Sequence, residues 1–267
     1  MRRLLLTALF ASIGVLDAGS VGARSYDLLF LVDETSGMAA EIASLKASAM
    51  TTIAPVALSA LGDVAFGVAG YRDFPVAPFG DPSDFSYRMH SQIDTSVATF
   101  QAGMNALSAA GGGDAPESGL HALSAAAIPS AMSPSWRAGS IRVILWIGDA
   151  PSHDGSLEPA YASCCSSTGV SGAIAALKGS GIAVFAISTD PAGLDATGQA
   201  SAVTAATAGT LSQLPSSVGL VQTISQLLQG PIASWIPVPT LSPLGLLVLA
   251  AAVATIAAFA APRFVSR

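Results

Sequence analysis

Three acids stand where a carboxylate could do chemistry: Asp33, Glu117 and Asp149. The first opens Asp33-Glu34-Thr35-Ser36-Gly37, directly after an uninterrupted apolar run over residues 28–32. The second closes Asp114-Ala115-Pro116-Glu117, which follows the glycines Gly111, Gly112 and Gly113. The third sits in Gly148-Asp149-Ala150-Pro151-Ser152-His153, again just past an apolar run, over residues 141–147. Carboxylates that converge without a lysine or arginine repel one another unless a cation neutralises them. Carboxylates joined by the hydroxyls of Thr35 and Ser36 are hard oxygen donors, suited to Mg²⁺ or Mn²⁺, or to Ca²⁺. The simpler reading of Asp33 is that it caps the helix that follows. A third reading draws Ser36, His153 and Asp149 as a hydrolytic triad. Against it, Ser36 lacks the Gly-x-Ser-x-Gly elbow, and His153 lies only four residues beyond Asp149 within one loop. The chain is therefore expected not to be an enzyme.

The elements that must position these residues follow from hydrophobic patterning. Residues 28–32 read as a strand buried on both faces, as in a parallel sheet covered by helices. Helical spacing follows over residues 38–61, interrupted late by Pro55, and a second strand runs over 64–71 to Arg72-Asp73. A Pro- and Asp-rich loop leads to an edge strand expected over 85–90, and Asp94-Thr95-Ser96 caps a helix to residue 109. A helix through residue 127, a strand over 141–147, a helix over 169–179 and a strand over 182–187 come next. Two more helices are expected over 196–206 and 218–228. Strands alternating with helices predict an α/β fold, a doubly wound and mostly parallel sheet flanked by helices. In such a sheet the loops carrying Asp33, Glu117 and Asp149 open at one rim, outside the carboxyl ends of the strands. Asp154, Glu158, Asp190 and Asp195 read as turn or cap residues.

The ends of the chain have a different character. Residues 1–23 combine two early arginines, a short apolar core and the small-residue exit Val21-Gly22-Ala23, the build of a secretory signal peptide. Residues 244–261 are apolar and uncharged, about 27 Å long as a helix, and precede Arg263 and Arg267. The expected organisation is a signal peptide at 1–23, one domain over 24–230, a linker over 231–243, and a hydrophobic helix with a basic tail over 244–267. The mean hydropathy of +0.59 is inflated by the two ends and by alanine. A formal charge of −6 without a basic patch argues against nucleic acid as a partner. Only 10% of residues are charged, so the surface must be largely Ser, Thr, Ala and Gly, as suits an exported protein. The two cysteines, Cys164 and Cys165, are neighbours and read as a loop disulfide: a vicinal ring or a bond to another chain.

Taken in chain order, these motifs resemble the von Willebrand factor A domain, most nearly the A-like domain of integrin β subunits, over residues 26–229. The family's metal-ion-dependent adhesion site begins Asp-x-Ser/Thr-x-Ser, matched here by Asp33 and Thr35. Its third position is Gly37, with the serine displaced to Ser36. Asp114-Ala115-Pro116-Glu117 matches the Asp-x-Pro-Glu of the β-subunit type, in which the glutamate reaches the metal, and Asp149 matches the family's later aspartate. The resemblance implies a metal site of Asp33, Thr35, Ser36, Glu117 and Asp149, and a second cation site, for Ca²⁺, at Asp73, Asp114 and Glu117. No acid pair after Met38 reproduces the other flanking Ca²⁺ site, since Ala39 and Ala40 precede Glu41. It also implies adhesion: the cation meets a carboxylate on a protein or surface-matrix partner. A structural scaffold without metal is the alternative.

Near the other end, Val238-Pro239-Thr240-Leu241-Ser242, followed by Leu244-Gly245-Leu246, an apolar stretch and terminal arginine, is similar to the IPTL-type C-terminal sorting signal of Gram-negative bacteria. That family usually has Trp where this chain has Leu244. The resemblance implies handling by an exosortase-like membrane protease. The protein would then reach the bacterial cell surface or outer envelope, anchored in the inner membrane by its C-terminal helix before processing.

Overall fold

A computed structural model describes residues 24–235, apart from residues 192 and 217. The expected signal peptide, the sorting motif at Val238, Pro239, Thr240 and Leu241, and the C-terminal helix lie outside the described residues. The described residues belong to one compact unit.

The sheet is built around β1 (Ser25–Asp33), in which every residue from Tyr26 onward is buried. β2 (Asp63–Tyr71) and β4 (Ile141–Gly148) flank it, both parallel to it. β5 (Ile182–Ser188) and β6 (Leu211–Gln213) extend the sheet on the β4 side, and β3 (Arg88–Asp94) closes the other edge antiparallel to β2. The strand order is β3-β2-β1-β4-β5-β6, so the fold is the mixed, mostly parallel sheet that the alternation of elements predicts.

Alternate residues of β1 serve two cores. Leu28, Phe30 and Val32 pack beneath α1 (Ala39–Ser48), α2 (Ala54–Leu61), α3 (Val97–Ala106) and, late in the chain, α8 (Leu220–Gln229). Leu29 and Leu31 face α4 (Gly119–Ala127), α6 (Val170–Gly179) and α7 (Gln199–Ala206). With both faces covered, the run can be apolar throughout rather than alternating. Two short helices complete the set: α5 (Pro159–Cys164), which ends at the disulfide joining Cys164 to Cys165, and α9 (Pro231–Ser234), which buries Ile232.

The structure shifts several expected boundaries. The edge strand lies at Arg88–Asp94, not over 85–90. Tyr87 joins the core, and the Phe85 ring lies under the Arg72 and Arg88 guanidinium groups, 4.9 and 3.7 Å away. The apolar residues thus serve loop packing, and pairing passes to the half-exposed segment after them. α3 begins as expected, with Ser96 Oγ accepting from Thr99 N, but it ends at Ala106, because Leu107 turns to extended geometry to bury its side chain. The segment expected as one helix over 38–61 contains a π-helical turn, Ala49–Ile53, just ahead of Pro55. A widened turn accommodates the ring and missing N–H that would break a regular ladder.

Candidate metal centre

Asp33 is the last residue of β1, and Asp149 follows β4 directly. These adjacent parallel strands run in register, Val32 opposite Ile147. Strand order reverses between them, since β2 and β3 lie to one side and β5 and β6 to the other. Reversal points of this kind are where open α/β sheets leave a crevice for a ligand. Glu117 arrives from the glycine loop, which is tied to both neighbouring loops through backbone hydrogen bonds. Ala110 N donates to Glu34 O (2.9 Å) and Ser36 N to Gly111 O (3.3 Å). Glu117 N donates to Pro151 O and accepts at its own carbonyl from His153 N, both at 2.8 Å. Thr35, Ser36, Gly37, Glu117 and Asp149 line the resulting cleft of about 270 Å³.

The electrostatics of this cleft are unbalanced. Asp33 is fully buried, and its Oδ1 accepts from both the N–H and the Oγ1–H of Thr35, each at 2.8 Å. Its Oδ2 has no hydrogen-bond partner, and neither does Oε2 of Glu117, itself only 4% exposed. Burial and the charge of Asp149 raise the Asp33 pKa to about 7, against the opposing pull of Thr35. Burial, then Asp33, Asp73 and Asp114, raise that of Glu117. Asp149 is raised mainly by burial. Among the described residues no Lys, Arg or His forms an ion pair with any of the three. Arg72, the nearby guanidinium, instead donates to the carbonyls of Glu34 (3.1 Å) and Ser108 (2.7 Å). Buried acceptors are normally satisfied, and buried charges are normally paired. Two orphaned carboxylate oxygens are hard donors of the kind a divalent cation satisfies, but among the described residues the ligand atoms of Asp33, Glu117 and Asp149 do not gather within 4.8 Å of one another.

Gly37 is more than a missing hydroxyl. A β-carbon built there would fall on Oδ2 of Asp149, so the space of a side chain at position 37 is taken by a carboxylate from the loop that follows β4. Ser36 is exposed at the cleft wall, in the 3₁₀ turn Ser36–Met38. On the opposite wall, Gly112 adopts φ +83°, and its backbone lies where a β-carbon would come within 3.1 Å of Glu117 Oε1 and 3.2 Å of Thr35 Cβ.

Beside the cleft lies a second cluster, with a different membership from that expected. Ligand atoms of Asp73, Asp114 and His153 lie within 4.8 Å of one another, and His153 takes the place expected for Glu117. Ser152 pairs with Glu117, and the next residue, His153, turns its ring to Asp73, just past the end of β2. His153 Nε2 is 3.2 Å from both Asp73 Oδ2 and Asp114 Oδ1, and Nδ1 is 2.6 Å from Glu158 Oε2. Burial alone would lower the pKa of His153; the carboxylates of Asp73 and Glu158, facing its two nitrogens, outweigh it and bring it to about 9. With both nitrogens so engaged, the Ser36–His153–Asp149 triad does not form in this structure.

Other residues emerge that the sequence reading passed over. Asp84, in the Pro-rich loop, accepts from Gly112 N at 3.0 Å and holds the glycine loop in place. Glu34 accepts from Ser108 N (2.6 Å) and meets His90 Nε2 at 2.5 Å, fixing the other end of that loop. Glu34 stands next to Asp33 in sequence, and its side chain lies over Gly70 of β2. Glu158, at the N-cap position of α5, accepts from Asp154 N (2.7 Å) and also orients His153, while Asp154 and Asp195 accept from the N–H groups of Ser156 (2.9 Å) and of Ser201 in the first turn of α7 (2.7 Å).

The sequence profile of the von Willebrand factor A domain matches residues 27–170, more than half of the chain. Two solved structures resemble it. One is a von Willebrand factor type A protein from Catenulispora acidiphila: 15% identity, covering 78% of this chain and 43% of that one, TM-score 0.49. The other is proximal thread matrix protein 1 (PTMP1) from the mussel byssus: 13% identity, covering 79% of this chain and 48% of that one, TM-score 0.53. At such identity the likeness is one of fold alone, and this chain spans less than half the length of either protein. No curated protein matches the sequence.

Proposed function

This chain belongs to the von Willebrand factor A domain family, and from that premise we propose that it is a binding module whose cleft holds a divalent cation for an acidic partner to touch. The observation that carries the reading is the pair of buried, unpartnered oxygens, Asp33 Oδ2 and Glu117 Oε2, at the strand-order reversal. Asp33, Thr35, Glu117 and Asp149 would hold Mg²⁺ or Mn²⁺, with Ser36 at the open side. A remaining coordination position would take a carboxylate from a protein or surface-matrix partner. Charge count sets the strength of that contact. Three directly bound carboxylates would more than neutralise the ion and draw a fourth weakly, whereas water between the ion and one acid keeps it electrophilic. The chemistry is adhesive rather than catalytic.

The same proposal extends to where the module works. The leader-like residues 1–23 and the Val238-Pro239-Thr240-Leu241 motif support export and handling by an exosortase-like protease, with membrane anchorage before processing. Mass spectrometry of the mature C-terminus tests this part; an intact residue 267 on the surface protein would refute it.

The metal reading is tested by titrating Mg²⁺, Mn²⁺ and Ca²⁺ into chelator-treated protein while following its melting temperature. A saturable rise with Mg²⁺ or Mn²⁺, abolished in Asp33→Ala, is expected. No response would favour a metal-free scaffold, for which Gly37 is the motivating departure, and an equal response in Asp33→Ala would place the ion outside the cleft. A pull-down with and without chelator would then find the partner.

A further inference from the structure

We propose that Asp73, Asp114 and His153 form a second, chemically distinct site for a borderline first-row divalent metal, of the Zn²⁺ or Co²⁺ class, rather than for Ca²⁺. The donor set is one imidazole and two carboxylates. A nitrogen ligand suits zinc-like ions, whereas Ca²⁺ takes six or more oxygens. The spacing suits them as well. Tetrahedral bonds of about 2.1 Å separate ligand atoms by roughly 3.4 Å, and His153 Nε2 lies 3.2 Å from each carboxylate oxygen.

The surroundings of this cluster point the same way. His153 is 3% exposed, its ring stacked on Tyr161 with centroids 4.0 Å apart and met edge-on by Phe79 at 5.1 Å. Glu158 Oε2 sits 2.6 Å from Nδ1, the carboxylate–imidazole arrangement that fixes a metal-binding histidine with its other nitrogen toward the ion. Asp73 is oriented in turn: its Oδ1 accepts from Phe74 N (2.6 Å) and Tyr161 Oη (3.2 Å). Its Oδ2, buried and without a hydrogen bond, is left facing Nε2. Asp114 is the exposed member, at the edge of the main cleft, and gives an ion both an entry path and a side open to water. The proposal does not depend on the cleft reading, because Asp33 and Asp149 take no part in it.

The test is a Co²⁺ titration of the full-length, chelator-treated protein, followed by visible absorption and by displacement with Zn²⁺. One equivalent should give ligand-field bands that persist in Asp33→Ala, resist millimolar Ca²⁺ and Mg²⁺, and yield to Zn²⁺. His153→Gln should weaken binding about 100-fold or more, and Glu158→Gln about 10-fold or more. In the wild type, ¹⁵N NMR should show Zn²⁺ shifting the Nε2 resonance of one of the three histidines; this readout stands even where a variant fails to fold. Absence of Co²⁺ and Zn²⁺ binding, binding unchanged in His153→Gln, ready displacement by Ca²⁺, or an unshifted Nε2 would each overturn the proposal. Binding lost in Asp33→Ala but kept in His153→Gln would also overturn it, by assigning the ion to the cleft.

Discussion

Two groups of acids lie side by side at the carboxyl rim of the sheet, and the fold treats them in opposite ways. Asp73 and Asp114 are compensated from within: His153 stands between them, Glu158 and Tyr161 steady the arrangement, and the Phe74 N–H completes the bonding of Asp73 Oδ1. Thr35 bonds to Asp33 Oδ1, but no cationic side chain pairs with Asp33 or Glu117 among the described residues, and each keeps a buried oxygen with no donor, whereas the unbonded Asp73 Oδ2 at least faces His153 Nε2. A histidine thus offsets the acids in one place, while the other is left with an electrostatic debt. A protein can tolerate the second only if its acids take up protons or something positive binds there.

The contrast can be broken most severely at Asp33. Asp33→Asn keeps an oxygen for the Thr35 bonds but removes the charge, so cation affinity should fall by about 100-fold or more. The metal-free protein should at the same time be no less stable than wild type, as paired thermal melts with and without Mn²⁺ would show. A variant that melts much earlier without metal would mean that the Asp33 charge is already satisfied.

Acidity provides the next test. The folded-state pKa of Asp33 is raised from 3.8 to about 7, and that of Glu117 is raised from 4.5. The native state therefore binds more protons than the unfolded chain above pH 4. Stability of the metal-free protein should then decline as pH rises from about 4 through 7. Saturating Mg²⁺ should flatten that decline. Melting temperatures across this range, with and without the ion, decide the matter; a metal-free profile rising over the interval would contradict it.

Gly37 sharpens the comparison further. In Gly37→Ser the new β-carbon claims the place of Asp149 Oδ2, the far end of a side chain that can rotate away. Stability should barely change, while cation affinity in the cleft falls by about 10-fold, measurable by calorimetry. The smallest effect belongs to the compensated cluster. Tyr161→Phe removes one 3.2 Å hydrogen bond to Asp73 and should cost about 1 kcal/mol in denaturant melts, leaving the Mg²⁺ response of the cleft intact.

The parts of this organisation that could be read from the sequence are those with strong local causes. β1 and β4 announce themselves as continuous apolar runs, and the acids that end them mark the rim directly. β3 is misplaced by three residues at its start because Phe85 and Tyr87 look like strand and act as loop anchors. β6, at three residues, is too short to show a period. Within the site, Asp33, Thr35, Glu117 and Asp149 were visible by type and position, whereas Asp84 was hidden in a loop whose composition suggests only turns. His153 was visible only as a member of a triad already argued against, and its place beside Asp73 and Asp114 went unread. Four residues from Asp149 in the chain, it serves another cluster, its ring held by Glu158 and Tyr161, which lie further along the chain. The meeting of Gly37 with Asp149 joins residues over a hundred positions apart, and no local pattern encodes it.

The bridge between Glu117 and Ser152 has a mechanical consequence. The backbone of Glu117 is gripped on both sides, through Pro151 O and His153 N, by the segment that issues directly from β4. Tension applied by a guest at the Glu117 carboxylate would pass through two short amide links into a central strand paired along both edges. A strand so paired yields only by shearing many hydrogen bonds at once. The anchor point would stay stiff under pull even though it sits on a glycine-rich loop.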